Sequence, residues 1–102
     1  LSAVMSTYFQ LQQSLVHWAE TKGLSRDVSI GYVTSLFAGL AAEGSSADPA
    51  EWERLPATHE TPGGWNEQVR LGMANLDAFT GLERVLDELL STRAAPAAQA
   101  DQ

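Results

Sequence analysis

The first twenty residues of the chain repeat large apolar side chains at a spacing that aligns them along one side of an α-helix. The positions alternate in steps of four and three: Val4, Tyr8, Leu11, Leu15 and Trp18. Because an α-helix turns once every 3.6 residues, this stripe is continuous over about five turns. Gly23 is a typical C-terminal stop, so we predict a helix from about Ser2 to Lys22. At about 1.5 Å per residue it is about 30 Å long, enough to span a domain of about 100 residues.

A second long helix is predicted directly after this stop. Ser25 is a favourable N-cap, and Asp27 places a negative charge in the first turn. Gly44 predicts an end near Glu43. The large apolar residues form one stripe, Val33, Leu36, Phe37 and Leu40, and the small residues form another, Gly31, Ser35, Ala38 and Ala42. Since small side chains in register let another helix approach closely, we expect this helix to bury two faces.

A short helix is predicted next, followed by a loop. Asp48 is the expected cap, Pro49 suits the first helical position, and Glu51 completes a capping box. Two later side chains are expected to anchor this helix in the core, Trp52 and Leu55. Residues 56–62 are predicted to form the loop.

Two more helices are predicted in the second half of the chain. One runs from about Gly64 to Asp77, with apolar positions at Trp65, Val69, Met73 and Leu76. Thr80 and Glu83 form a second capping box, which predicts the start of the last helix. The apolar face of that helix comprises Leu82, Val85, Leu86, Leu89 and Leu90. No segment shows the alternation of a strand, so we predict an all-α fold of about four main helices and one short helix.

The length of 102 residues fits one domain with a single modest core. We assign residues 1–93 to this domain. Residues 94–102 have no large apolar side chain, so a flexible tail is predicted there. Because the sequence begins at Leu1 rather than Met, we expect it to be part of a longer polypeptide.

Composition argues against several classes of function. The formal net charge is -7 and the six basic residues are scattered, whereas nucleic-acid binding relies on clustered cations that neutralise phosphates. The absence of cysteine excludes disulfides, thiolate metal sites and thiol nucleophiles, and we predict no metal site. No apolar run approaches the roughly 20 residues of a membrane span, and the N-terminus lacks a signal-peptide pattern. We predict a soluble, cytoplasmic protein that binds neither nucleic acid nor membrane.

The apolar surface of the two long helices indicates self-association. Both helices carry apolar residues on more than one face, and three shorter helices offer too little surface to cover them. Large apolar patches on soluble chains usually mark interfaces, and two-fold dimers are the commonest assembly. We therefore predict a homodimer.

One segment of the sequence carries chemistry, Thr61-Pro62-Gly63-Gly64-Trp65-Asn66-Glu67-Gln68. The first turn of a helix has N–H groups without intrahelical partners, and the helix dipole adds positive potential there. Carboxylates and phosphates bind such ends. Pro62 fixes its own φ, while Gly63 and Gly64 lack the Cβ atoms that would keep a ligand from the backbone. The alternative is that the two glycines form only a turn into a helix.

With this segment in place, the chain from about Leu1 to Arg93 resembles the C-terminal dimerisation domain of pyrroline-5-carboxylate reductase and reductase-like oxidoreductases. The shared features occur in the family order. They are the long first helix, the Gly23-Leu24-Ser25-Arg26 junction, the second helix rich in small residues, the Pro62-Gly63-Gly64 turn, a bend containing Phe79 and a terminal amphipathic helix. The Pro-Gly-Gly turn is the most specific of them. The resemblance implies a helical domain of the 6-phosphogluconate dehydrogenase C-terminal-like type.

The resemblance also implies a function. The parent enzyme would bind NAD(P)H in an N-terminal Rossmann domain outside this chain, and this domain would dimerise and contribute to the substrate pocket. In such enzymes the segment around the turn holds the carboxylate of a cyclic imine. By position, the substrate-binding residues here are Thr61, Gly63, Gly64, Trp65 and Asn66. The reductase pattern is Ser-Pro-Gly-Gly-Thr-Thr, so Trp65 and Asn66 point away from proline synthesis.

The neighbours of the turn have competing interpretations. Trp65 is either a core anchor, which we favour, or a ring that lines a pocket. His59 and the neighbouring Glu60 either lie in a solvated loop, which we favour, or donate a proton to an imine. Glu67 and Gln68 either satisfy free N–H groups of the first turn or face the ligand. Arg70 either offsets the charge of Glu67 or pairs with it on the surface. On the first helix, His17 is expected to have a surface or interface role.

Two hypotheses from different classes follow. The first is a dimerisation and substrate-side domain of a reductase-like NAD(P)H-dependent oxidoreductase that contributes a carboxylate-binding loop and has little activity alone. The second is a non-catalytic helical homodimer that acts as an assembly or protein-interaction module, in which Pro62-Gly63-Gly64 only ends a loop. The dinucleotide-binding motif of a Rossmann unit upstream of Leu1 would distinguish them.

Overall fold

The computed structural model of the chain describes residues 1–92, and every regular element in this range is helical. After a single 3₁₀ turn at Ser2–Val4, five α-helices follow: α1 (Met5–Thr21), α2 (Arg26–Ser46), α3 (Pro49–Thr58), α4 (Trp65–Asn75) and α5 (Ala78–Thr92). The prediction of an all-α fold is confirmed. The predicted tail, 94–102, and the predicted domain end at Arg93 lie outside the described residues.

The end of α1 forms at Gly23 as predicted. The φ angle of Gly23 is 99°, a left-handed conformation that glycine adopts without a Cβ penalty. The N–H of Leu24 donates to the carbonyl of Ala19, and the N–H of Gly23 donates to that of Glu20. These two bonds are the Schellman motif, which satisfies carbonyls that have no partner within the helix.

The start of α2 is confirmed, and its predicted end is wrong. The Ser25 hydroxyl accepts a hydrogen bond from the N–H of Val28 at 3.2 Å, as expected of an N-cap. The helix passes through Gly44 and ends at Ser46. A glycine inside a helix costs only about 1 kcal/mol, so it does not oblige the helix to stop. Pro49 sets the end instead, because it disfavours helical backbone in the residue before it.

The capping box of α3 forms in full. The N–H of Glu51 donates to the Asp48 carboxylate at 2.8 Å, and the Glu51 carboxylate accepts from the N–H of Asp48 at 2.9 Å. The loop predicted from residue 56 begins later, because α3 includes Pro56 and ends at Thr58. A proline near the end of a helix removes one hydrogen bond but leaves the last turn intact.

A tight link at Asp77 joins α4 to α5, and the capping box predicted from Thr80 and Glu83 does not form. Asp77 adopts a φ of 59°, and its carbonyl accepts from the N–H of Gly81. The last helix therefore begins at Ala78, and Thr80 lies inside its first turn rather than at its cap. The prediction overlooked that aspartate tolerates the left-handed conformation better than most residues.

The chain divides into two compact units, Leu1–Trp52 and a second that begins at Glu53. In the first unit α1 and α2 form an antiparallel hairpin whose contact contains the buried side chains of Val16, Ser29 and Val33. An edge-to-face contact between the rings of Tyr8 and Phe37 continues it. Ser29 is small enough for the helices to approach closely, but its buried hydroxyl has no hydrogen-bond partner.

The burial of the tryptophans differs from the prediction. Trp52 was expected to anchor α3 in a core, yet 57% of its surface is exposed. Leu55 is half-buried. In the second unit, α4 and α5 pack against each other, and large apolar side chains on both helices remain accessible. Each helix pair therefore leaves apolar surface without a covering element in its own unit.

Candidate functional site

The Thr61–Gly64 segment of the second unit is a tight turn that leads into α4. The N–H of Gly64 donates to the carbonyl of Thr61 at 2.8 Å, and Pro62 and Gly63 occupy the two central positions. The φ angle of Gly63 is 76°. Proline followed by a residue with φ near 80° is the signature of a type II turn. Gly63 is therefore required for its backbone conformation.

Gly64 is required for a different reason. Its φ and ψ angles are -78° and 172°, an extended conformation open to any residue. A Cβ added to it would lie 2.5 Å from the hydroxyl oxygen of Thr61 and 3.0 Å from the Thr61 carbonyl oxygen. The first distance is one that Cβ atoms essentially never show, and the second is unusually tight, so the closeness of Thr61 to the backbone favours glycine here.

The side chains of Glu67 and Gln68, in the first turn of α4, form hydrogen bonds with the backbone of Gly63. The Glu67 carboxylate accepts a hydrogen bond from the N–H of Gly63 at 2.7 Å. The side-chain amide of Gln68 donates to the Gly63 carbonyl at 2.9 Å. Glu67 therefore satisfies a free N–H group, that of Gly63 just before the helix. The prediction that Gln68 does the same is wrong, because its amide donates to a carbonyl. One of the backbone donors assigned to a ligand is consequently occupied by a carboxylate of the chain itself.

The residues after the turn present both backbone donors and a large ring. Among residues 1–92, no acceptor is found for the N–H groups of Trp65, Asn66 and Glu67, the first three positions of α4. Trp65 is 86% exposed, so the prediction that it anchors its helix in the core is wrong for this chain. The apolar stripe of α4 suggested an anchor, but the first position of a helix lies at its end, where a side chain need not meet the neighbouring helix.

A salt bridge joins the segment before the turn to α4. The Arg70 guanidinium donates to both carboxylate oxygens of Glu60, with Nη2 to Oε1 at 3.0 Å. This hydrogen bonding lowers the pKa of Glu60 and, with the attraction between the charges, raises the pKa of Arg70. Arg70 therefore pairs with Glu60 rather than with Glu67, because Glu60, ten residues away, supplies both acceptors in a planar fork. The charge of Glu67 contributes only a smaller part of the raised pKa of Arg70. With both oxygens engaged, Glu60 is poorly placed to assist His59 in proton transfer.

The five predicted site residues thus lie together in one segment. Thr61, Gly63 and Gly64 form the turn, and Trp65 and Asn66 begin α4. Sequence analysis missed the Glu60 to Arg70 pair as part of the same segment. The available signal was weak, because it consisted of opposite charges on either side of a predicted turn.

His17 lies in the first unit, at a groove of about 360 Å³ between α1 and α2. The groove is lined by apolar and polar side chains, among them Phe9, Gln13, Val16, His17, Ile30 and Thr34. At one end of the groove, Arg26 forms a salt bridge with Glu20 at 3.1 Å. His17 is exposed, in agreement with the surface role predicted for it.

Comparisons of the chain with protein-family models, curated proteins and solved structures find no match. Among the described residues, no helix combines the length and apolar character needed to cross a membrane.

Proposed function

We propose that this chain is the helical dimerisation and substrate-side domain of an NAD(P)H-dependent oxidoreductase similar to pyrroline-5-carboxylate reductase. In this proposal the domain has the 6-phosphogluconate dehydrogenase C-terminal-like fold. It forms a homodimer, and its turn at Thr61–Gly64 binds the carboxylate of a small substrate. NAD(P)H binds to an N-terminal domain of the parent enzyme, outside this chain.

The observation that carries the proposal is the arrangement of donors at the start of α4. The N–H groups of Trp65 and Asn66 lack acceptors within residues 1–92, and they follow a turn that keeps Cβ atoms away from the backbone. Positive potential at a helix N-terminus favours a carboxylate at this position. Glu67 supports the same chemistry, because a carboxylate of the chain already accepts from the N–H of Gly63 at 2.7 Å.

The same contact gives Glu67 a role in selecting the ligand. A substrate carboxylate that reaches the N–H of Gly63 has to displace Glu67, whereas one that binds only the N–H groups of Trp65 and Asn66 leaves it in place. In either case the two negative charges repel each other across a short distance. Removal of the charge by Glu67→Gln should therefore lower KM for an anionic substrate. The indole of Trp65 would cover the bound molecule.

The test compares a glycine of the turn with a glycine inside α4 in the full-length parent protein. Gly64→Ala adds a Cβ against Thr61, and Gly72→Ala adds one where no atom lies within 4 Å. The assay is NAD(P)H oxidation with a panel of cyclic imine carboxylates that includes 1-pyrroline-5-carboxylate, and the variants are compared on the compound that wild type reduces fastest, with the oligomeric state measured in parallel. We expect Gly64→Ala to raise KM about tenfold or more while the protein stays dimeric, and Gly72→Ala to behave as wild type. Equal activity of the two variants would contradict a ligand role for the turn.

The second candidate is a non-catalytic helical homodimer that serves as an assembly or protein-interaction module. It is favoured by the hydrogen bond from Gly63 to Glu67, because this bond completes the turn without any ligand. The coding sequence upstream of Leu1 distinguishes the two candidates. A strand, a Gly-x-Gly-x-x-Gly motif and a helix there would support the oxidoreductase, and their absence would support the module.

A further inference from the structure

One side of the α1–α2 hairpin consists almost entirely of exposed apolar side chains. We call it the neutral face. It comprises Tyr8, Leu11, Leu15 and Trp18 of α1, and Val28, Tyr32, Leu36 and Leu40 of α2. By helical periodicity these residues lie on the opposite side of the hairpin from His17 and Thr34, which line the groove. Their exposed fractions range from 39% at Leu15 to 71% at Tyr32, so their own unit covers each of them only in part.

The area of the neutral face matches the requirement of a specific interface. Its three aromatic side chains and five aliphatic side chains expose about 600 Å² in all. This equals the upper end of the range for the largest apolar patch on a typical monomer, about 300–600 Å². Two such faces pressed together bury about 1,200 Å², where the range for stable interfaces begins.

Charge identifies the occupant of the neutral face. The chain has a net charge of -7, yet residues 1–19 and 28–42 contain no Asp, Glu, Lys or Arg. The Lys22 ammonium lies 5.8 Å from the centroid of the Trp18 ring, so a basic partner would meet a cation at this end of the face and no carboxylate among the residues that form it. A second copy of the same acidic chain can approach without bringing carboxylates of the two faces together, and the centres of interfaces are depleted of charge in the same way.

We propose that a second copy of this chain covers the neutral face in a two-fold symmetric contact in which α1 packs beside α1 of the second copy. The alternating four and three spacing of Tyr8, Leu11, Leu15 and Trp18 is the spacing of a coiled-coil seam, in which such side chains insert between those of a facing helix. Two-fold symmetry brings each residue of the face to the contact twice. The inference rests on the homodimer of the proposed function and names its surface.

The experiment measures self-association of the 102-residue chain by sedimentation equilibrium over a concentration series. Leu15→Glu places a charge on the neutral face, and Gln13→Glu places the same charge on the groove side of the same helix. We expect wild type and Gln13→Glu to be dimers of similar affinity. Leu15→Glu should weaken the dimer at least 100-fold, because symmetry buries the unpaired charge twice.

A second variant controls for the case in which Leu15→Glu misfolds. Tyr32→Glu changes the most exposed residue of the face, on the other helix, and should also weaken the dimer about 100-fold with unchanged far-UV circular dichroism. If both glutamate variants remain as dimeric as wild type, the neutral face is not the interface, although the homodimer of the proposed function stands. A monomeric wild type at high micromolar concentration would overturn both proposals.

Discussion

The contact between Gly64 and Thr61 permits a quantitative test of how the turn is built. In Gly64→Ala the backbone angles stay acceptable, because φ and ψ of -78° and 172° suit alanine. The whole cost is therefore steric, from a Cβ placed 2.5 Å from the Thr61 hydroxyl oxygen and 3.0 Å from its carbonyl oxygen. Overpacking of this kind typically costs about 1–3 kcal/mol. For a domain of this size, a loss of about 2 kcal/mol lowers Tm by about 8–16 °C.

A double-mutant cycle assigns this cost to its cause. Thr61→Ala removes the hydroxyl but leaves the carbonyl, so the combination Thr61→Ala with Gly64→Ala should recover more than half of the lost stability. Urea unfolding followed by circular dichroism measures all four proteins, with Gly72→Ala as the control for adding a methyl group in open space. Since alanine is the better helix former, Gly72→Ala should raise the unfolding free energy by up to about 1 kcal/mol. Additive effects of the two substitutions at 61 and 64 would refute the steric explanation, because residues in contact must couple.

Three further predictions concern other parts of the structure. Gly63→Ala should lower the unfolding free energy by about 1–2 kcal/mol, because alanine is strained at a φ of 76°. Gly63→Asn should lower it by less, since asparagine tolerates this conformation better. Equal losses of the two variants in urea unfolding would contradict this explanation. Ser29→Ala should leave the unfolding free energy unchanged or raise it, because it removes a buried hydroxyl without a hydrogen-bond partner. A clear fall in Tm would show that the hydroxyl does form a hydrogen bond. The lowered pKa of Glu60 means that its pair with Arg70 stabilises the fold above the ordinary value of 4.5 and loses this effect as pH falls through the lowered pKa. A carboxyl NMR titration should therefore place the Glu60 midpoint below 4.5 in wild type and closer to 4.5 in Arg70→Gln, and identical midpoints would refute the pairing.

Three helix caps were predictable from sequence because they depend on residues within one turn of each other, whereas the capping box expected at Thr80 and Glu83 does not form. Ser25, Gly23 and the pair of Asp48 and Glu51 all act through local hydrogen bonds, and each forms as predicted. The errors occurred where two local signals compete. Gly44 can stop a helix or be tolerated inside one, and only the downstream proline decides the end.

Burial was less predictable, because it depends on which elements meet. The periodicity of α4 placed Trp65 on an apolar stripe, but it could not show which elements meet this end of the helix, where the indole is 86% exposed. The pairing of Arg70 was missed for a related reason. Its partner Glu60 approaches only because the type II turn at Pro62 and Gly63 reverses the chain between them.

The backbone conformation of the candidate site was predictable, but the contacts of its donors were not. Sequence alone indicated that the segment from Gly63 into α4 offers backbone donors, and the side chain of Glu67 accepts a hydrogen bond from one of them, the N–H of Gly63. A position that attracts the carboxylate of its own chain has the electrostatic character that a substrate carboxylate needs, and it also carries a competitor for that substrate. The two hypotheses about function therefore differ in one physical quantity, the free energy needed to bring a second carboxylate beside Glu67. In an oxidoreductase the N–H groups of Trp65 and Asn66 together with the partner domain must supply it, whereas in an assembly module the turn is already complete.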